Sequence, residues 1–61
     1  MQPSFSKSDQ VQYRSPNDGR DVVGEIEMVY MEDGIPKYGI FHPLFGYETI
    51  TEDCIHYKLD N

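Results

Sequence analysis

Two segments with a period of two, joined by Glu32-Asp33-Gly34, constrain this chain more than any other feature. In VVGEIEMVYM (22–31), Gly24, Ile26 and Met28 alternate with Glu25 and Glu27, which predicts one apolar and one acidic face. PKYGIF (36–41) follows, with Tyr38 and Ile40 sharing a face and Pro36 suited to a strand entrance or an edge. Asp-Gly between the two is a tight hairpin signal. Propensity alone would permit a helix over EIEMVYME. Gly24 before it, Asp33-Gly34 after it and the β-branched and aromatic residues Val22, Val23, Ile26, Val29 and Tyr30 favour a strand.

The remaining segments are equally short. Val11 and Tyr13 alternate with Gln10, Gln12 and Arg14, and the loop SPNDGRD follows, with Pro16 and Gly19 as turn formers. After the break HPLFG come YETI, the single turn TEDC, and IHYKL with Ile55, Tyr57 and Leu59 in alternation. The acidic pair of TEDC suits the N-terminal side of that turn. The expected core is Val11, Val23, Ile26, Val29, Tyr38, Ile40, Ile50, Ile55 and Leu59. Residues 1–8, MQPSFSKS, read as a flexible arm that Phe5 could pin to the body, and 9–61 as one domain.

A chain of 61 residues is too small to build a core, an enzyme cleft and a cofactor domain together. Its net charge of −6, from eleven acids and five bases, lacks the basic stripe that displaces counterions from nucleic acid. A basic protein surface is the natural partner. The single cysteine, Cys54, makes no internal disulfide, and no membrane-length apolar run or signal peptide is present. The expected location is cytoplasmic. Asp53, Cys54, His56 and His42 fall short of a zinc ligand set and of a Cys–His catalytic arrangement with its orienting third group. No phosphate loop, serine elbow or carboxylate pair appears, so the expectation is a non-enzyme with no cofactor, no metal site and no catalytic residues.

The order of these pieces resembles SH3-like barrels, most closely the Tudor and KOW-type modules. DQVQY resembles the family's first strand, VGEIEMVY its long second strand, KYGIF with the Gly-containing loop its third, and ETITEDCIHYKL the fourth strand, one-turn 3₁₀ helix and closing strand. The resemblance covers residues 9–59 and implies an all-β fold: a five-stranded antiparallel barrel with one short 3₁₀ turn before the last strand. Side chains fill so small an interior, which leaves loops and strand edges for function. In Tudor-like members, loop aromatics enclose a methylated lysine or arginine. Tyr13, Tyr30, Phe41, Phe45 and Tyr47, with Glu32 or Asp33, are the residues here that the resemblance offers for that role. The alternative is that Tyr13, Tyr38 and Phe41 pack the interior and Phe45 covers its end.

The expected function is that of a small interaction module binding a basic protein through loop aromatics and an acidic rim. Its candidate residues are Tyr30, Glu32, Asp33, Phe41, Phe45, Tyr47 and Glu48, with Phe45 as anchor in the apolar loop His42–Tyr47. A second reading is an acidic inhibitor or nucleic-acid mimic presenting Glu25, Glu27, Glu32, Asp33, Glu48, Glu52 and Asp53. A third is a nucleic-acid-binding barrel using the scattered Lys7, Arg14, Arg20, Lys37 and Lys58. Self-association through an open strand edge is compatible with all three.

Overall fold

A computed structural model describes residues 2–44 and 46–59. The chain is all-β: β1 (Gln10–Arg14), β2 (Asp21–Glu32), β3 (Ile35–His42), β4 (Gly46–Thr51) and β5 (Ile55–Lys58), with a 3₁₀ turn at Glu52–Cys54 between β4 and β5. The strands form one antiparallel sheet in the order β4-β3-β2-β1-β5. Asp33 and Gly34 both take positive φ, 53° and 76°, and Glu32 pairs with Ile35 around them. That is the two-residue turn whose twist matches the flanking strands.

The inner face carries the core. Val11, Tyr13, Ile26, Tyr38 and Ile40 are wholly buried with Ile50 and Ile55, and Phe5, Val22, Val29 and Cys54 pack around them. Gly24 lies on the same face because nothing larger fits. A Cβ there would stand 2.5 Å from Ile40 Cγ2 and 3.1 Å from Tyr13 Cε1.

Two bulges break the alternation expected from the sequence. On β2 the pairing steps from Ile26↔Ile40 to Met28↔Gly39, leaving Glu27 as an extra residue. The phase inverts there, so Met28 is 54% exposed rather than inward, and Val29 turns toward the core in its place. On β5 the pairing steps from Gln12↔Tyr57 to Tyr13↔Ile55, leaving His56 extra. Ile55 is buried while Tyr57 faces outward, and Leu59 is half-buried. Val23 is also outside the core, at 44% exposure, because it pairs with Gln12 on the outer face.

Polar contacts fasten both ends of the sheet. At one end Ser15, just past β1, donates its hydroxyl to Glu48 Oε1 on β4 at 2.7 Å, and Asn17 Nδ2 donates to the same oxygen at 3.1 Å. At the other, the Ser4 N–H and the Tyr38 hydroxyl each donate to Glu52 Oε1 at 2.7 Å. Phe5 lies edge-on to the Tyr38 ring with centroids 5.9 Å apart. Residues 4 and 5 therefore touch the body at the carboxylate of the 3₁₀ turn.

The two halves of β2 are paired differently. Its first half has β1 on one side, from Arg14↔Asp21 to Gln10↔Glu25, extended by backbone bonds between Ile26 and residues 8 and 9. From Glu27 to Glu32 its ladder, among the described residues, is with β3 alone.

Candidate partner-binding surface

The sheet sorts the expected binding residues into separate places. Phe41 and Tyr47 are register partners across β3 and β4 on the outer face, 43% and 67% exposed. Their rings meet edge-to-face with centroids 5.4 Å apart, the arrangement the aromatic quadrupole favours. Phe41 also pairs with Glu25 on its other side. Val23, Glu25, Phe41, Pro43 and Gln10 line a shallow groove of about 220 Å³. Leu44, exposed in the following turn, adds apolar surface nearby.

Tyr30, Glu32 and Asp33 lie at the opposite end of the β2–β3 ladder. Tyr30 pairs with Lys37, four positions along β3 from Phe41, or about 13 Å at the usual strand rise. Tyr30 therefore does not stand beside Tyr47. Glu32 is engaged by Lys37 Nζ at 3.8 Å. Phe45, the expected anchor, lies outside the described residues. Tyr13, a sequence candidate for an aromatic enclosure, is wholly buried.

Glu48 does not reach the rim. It points inward from β4, 4% exposed, and its Oε1 is taken by Ser15 and Asn17. Its Oε2 and the Tyr13 hydroxyl are both buried without a hydrogen-bond partner among the described residues. Burial first, and the nearby Glu48 charge second, push the Tyr13 phenol up to about 12. At the other end, burial and the hydrogen bond to Glu52 raise the Tyr38 phenol. The same bond, with that from the Ser4 N–H, holds the Glu52 carboxyl below its ordinary value.

The charges left over are mostly acidic, with Lys7 the cation that makes no ion pair among the described residues. Arg14, Arg20, Lys37 and Lys58 each approach a carboxylate, from Asp21, Asp18, Glu32 and Asp9 respectively, at 3.5–3.8 Å. His56 Nε2 lies 2.8 Å from Asp21 Oδ1. Glu25, Glu27 and Asp33 make no ion pair among the described residues. Glu25 and Glu27 are both exposed on β2, as their place on the acidic face of VVGEIEMVYM predicts.

Among the described residues, no group of three or more His, Cys, Asp and Glu side chains is arranged to hold a metal ion, and no helix is long and apolar enough to cross a membrane. His42 is buried at the end of β3, where its Nδ1 accepts the Leu44 N–H at 3.0 Å. In comparisons with known proteins the chain matches no family model, no curated protein and no solved structure.

Proposed function

We propose that the chain is a small, non-enzymatic interaction module that docks a basic protein surface on the outer face of its sheet. The observation that carries this reading is the exposed Phe41–Tyr47 pair beside Glu25, a carboxylate that makes no ion pair among the described residues. An exposed aromatic pair beside an acidic side chain combines an anchor with electrostatic steering. Four of the five cations already face carboxylates, which leaves the excess negative field to the partner and disfavours phosphate contacts. The strand order, the 3₁₀ turn between β4 and β5 and the Ser15–Glu48 bond across the sheet support an SH3-like barrel as the scaffold. A lone thiol, Cys54, supports a cytoplasmic setting.

The test pairs binding with stability. Proteins captured by the chain from its own host are identified, and the partner is titrated against wild type and a Phe41→Ser/Tyr47→Ser variant. The module reading expects at least a ~30-fold loss of affinity, the scale of an interface hot spot, with the melting temperature nearly unchanged because both rings are half out in water. Retained affinity in the folded variant would overturn it. Binding that collapses with salt yet ignores both rings would favour an acidic mimic using Glu25, Glu27, Glu32, Asp33 and Asp53. An electrophoretic shift of nucleic acid at physiological salt would favour the third reading.

A further inference from the structure

Among the described residues the distal half of β2 has no strand paired to it on one side, and we infer that it accepts an extended, positively charged segment of the partner as an added strand. The inference rests on the module reading above but concerns a different surface. Pro36 fixes which way the backbone points. It pairs with Met31, and a proline has no N–H to give to the ladder. Met31 and Pro36 therefore form a non-hydrogen-bonded pair, with the N–H and C=O of Met31 directed away from β3. By the alternation of an antiparallel ladder, Val29, two residues back and opposite Tyr38, is oriented the same way. No backbone hydrogen bond from the arm reaches either residue among the described residues. The last one on that side joins the Ser8 N–H to the Ile26 carbonyl at 2.7 Å.

Room exists for the added strand. A groove of about 560 Å³ runs between the arm, at Pro3, Phe5 and Lys7, and β2 at Glu27, Met28 and Val29. Phe5, Met28 and Val29 give it an apolar part and Ser6, Lys7 and Glu27 a polar one, and Met31 is half exposed farther along the edge. Folded proteins usually blunt such an edge with lysine, proline or a covering loop. β2 carries neither lysine nor proline from Glu27 to Glu32 and has a carboxylate at each end of the stretch. The arm brings Pro3 and Lys7 to the groove at Glu27–Val29 but, among the described residues, makes no backbone bond to Val29 or Met31.

Those carboxylates select the occupant. A second copy pairing antiparallel about Tyr30 would set Glu27 against Asp33 of the other chain at both ends, and each copy brings a net charge of −6. Like charges directly opposite destabilise a strand pair. A basic segment meets Glu27, which makes no ion pair among the described residues, and gains main-chain hydrogen bonds at Val29 and Met31.

The test uses the full chain, labelled with ¹⁵N, and an alternating Arg-Thr decapeptide. Its controls are the Glu-Thr counterpart and the Arg-Thr peptide methylated at every backbone nitrogen. Strand addition expects the Val29 and Met31 amides to shift most and their hydrogen exchange to slow by ~10-fold or more. The methylated peptide should bind at least ~10-fold more weakly, and the Glu-Thr peptide should not bind. Shifts centred on Phe41 and Tyr47, with Val29 and Met31 unmoved, would overturn the edge site and leave the module reading standing. No shift anywhere at millimolar peptide would overturn the edge site, while the module reading stands or falls with the Phe41→Ser/Tyr47→Ser titration. Equal binding of the methylated or the acidic peptide would overturn strand addition or its charge preference. Concentration-dependent protection of Val29 and Met31 without peptide would replace the basic segment with a second copy.

Discussion

Ser15 Oγ and Glu48 Oε1, 33 positions apart in sequence, are joined by a buried hydrogen bond of 2.7 Å. The bond fastens the loop after β1 to the edge strand β4, which β1 does not pair with in the sheet order. A charged acceptor held in a buried site makes this bond matter more than a surface one. Ser15→Ala removes the nearer of the two donors to a carboxylate that is 4% exposed. The expected cost in urea denaturation is about 1–3 kcal/mol. Glu48→Gln, in contrast, should leave the salt dependence of partner binding unchanged, since the group does not reach the rim. A weakened salt dependence would show that Glu48 faces the partner after all.

The Tyr13 hydroxyl gives an alkaline signature. Its phenol titrates at about 12 in the folded chain against an ordinary 10.0. The folded state holds the proton more tightly, so this contribution to stability is full below pH 10 and is lost as pH rises toward 12. Tyr13→Phe removes a buried hydroxyl that has no hydrogen-bond partner among the described residues. It should be neutral or stabilising at neutral pH, and should flatten the alkaline loss, with a smaller loss remaining from Tyr38. Denaturation curves at neutral pH and above pH 10 check this, and an unchanged alkaline slope in the variant would refute the assignment to Tyr13.

Much of the fold was legible because most strands announce themselves. Val11 with Tyr13, Tyr38 with Ile40, and the Asp33-Gly34 turn occupy the places their spacing assigns. Two of the misplacements share one cause, while Val23 falls on the outer face simply because it pairs with Gln12 there. A period-two count assumes an unbroken ladder, and Glu27 and His56 are each inserted without a partner, so Met28 and Tyr57 fall on the opposite face from the one counted. Neither bulge carries a glycine or any other local mark.

The expected binding residues were less legible, for a related reason. Residue type names an aromatic or an acid, but register decides its neighbours. Phe41 and Tyr47 meet because β3 and β4 pair in that register, while Tyr30 is carried to the far end of the same ladder. Glu48 reads as rim acid in sequence, yet Ser15 and Asn17 arrive from a distant loop to accommodate it inside.

Acid should loosen the other end of the sheet. Hydrogen bonds from Tyr38 and from the Ser4 N–H hold the Glu52 carboxyl below its ordinary 4.5. A lowered folded value means this contribution is present above pH 4.5 and is lost as pH falls through the lowered value. Glu52→Gln should therefore destabilise the chain at neutral pH, and the gap from wild type should close in strong acid. It should also loosen the arm, read as faster exchange at the Ser4 and Phe5 amides. A gap that stays constant with pH would separate Glu52 from this titration.

Two glycines in adjacent strands should respond oppositely to the same added methyl group. Gly24 sits on the inner face, where a Cβ would press on Ile40 Cγ2 at 2.5 Å, the Phe41 carbonyl at 3.1 Å and Tyr13 Cε1 at 3.1 Å. Two of these neighbours are wholly buried side chains and the third is backbone, so none can yield without disturbing the β2–β3 pairing. Gly24→Ala should cost about 1–3 kcal/mol, the scale of overpacking a close-packed core. Gly39 faces outward beneath Met28, and a Cβ there would stand 3.5 Å from Met28 Cβ and 3.7 Å from its Cε, ordinary contact with a half-exposed side chain. Neither glycine has a positive φ, so alanine brings no backbone strain at either site. Gly39→Ala should therefore gain up to about 1 kcal/mol by restricting the unfolded chain. Urea midpoints for the two variants measure the contrast directly. A Gly39→Ala loss as large as that of Gly24→Ala would mean that Met28 is packed rather than exposed, and would remove the bulge at Glu27 from this account of β2.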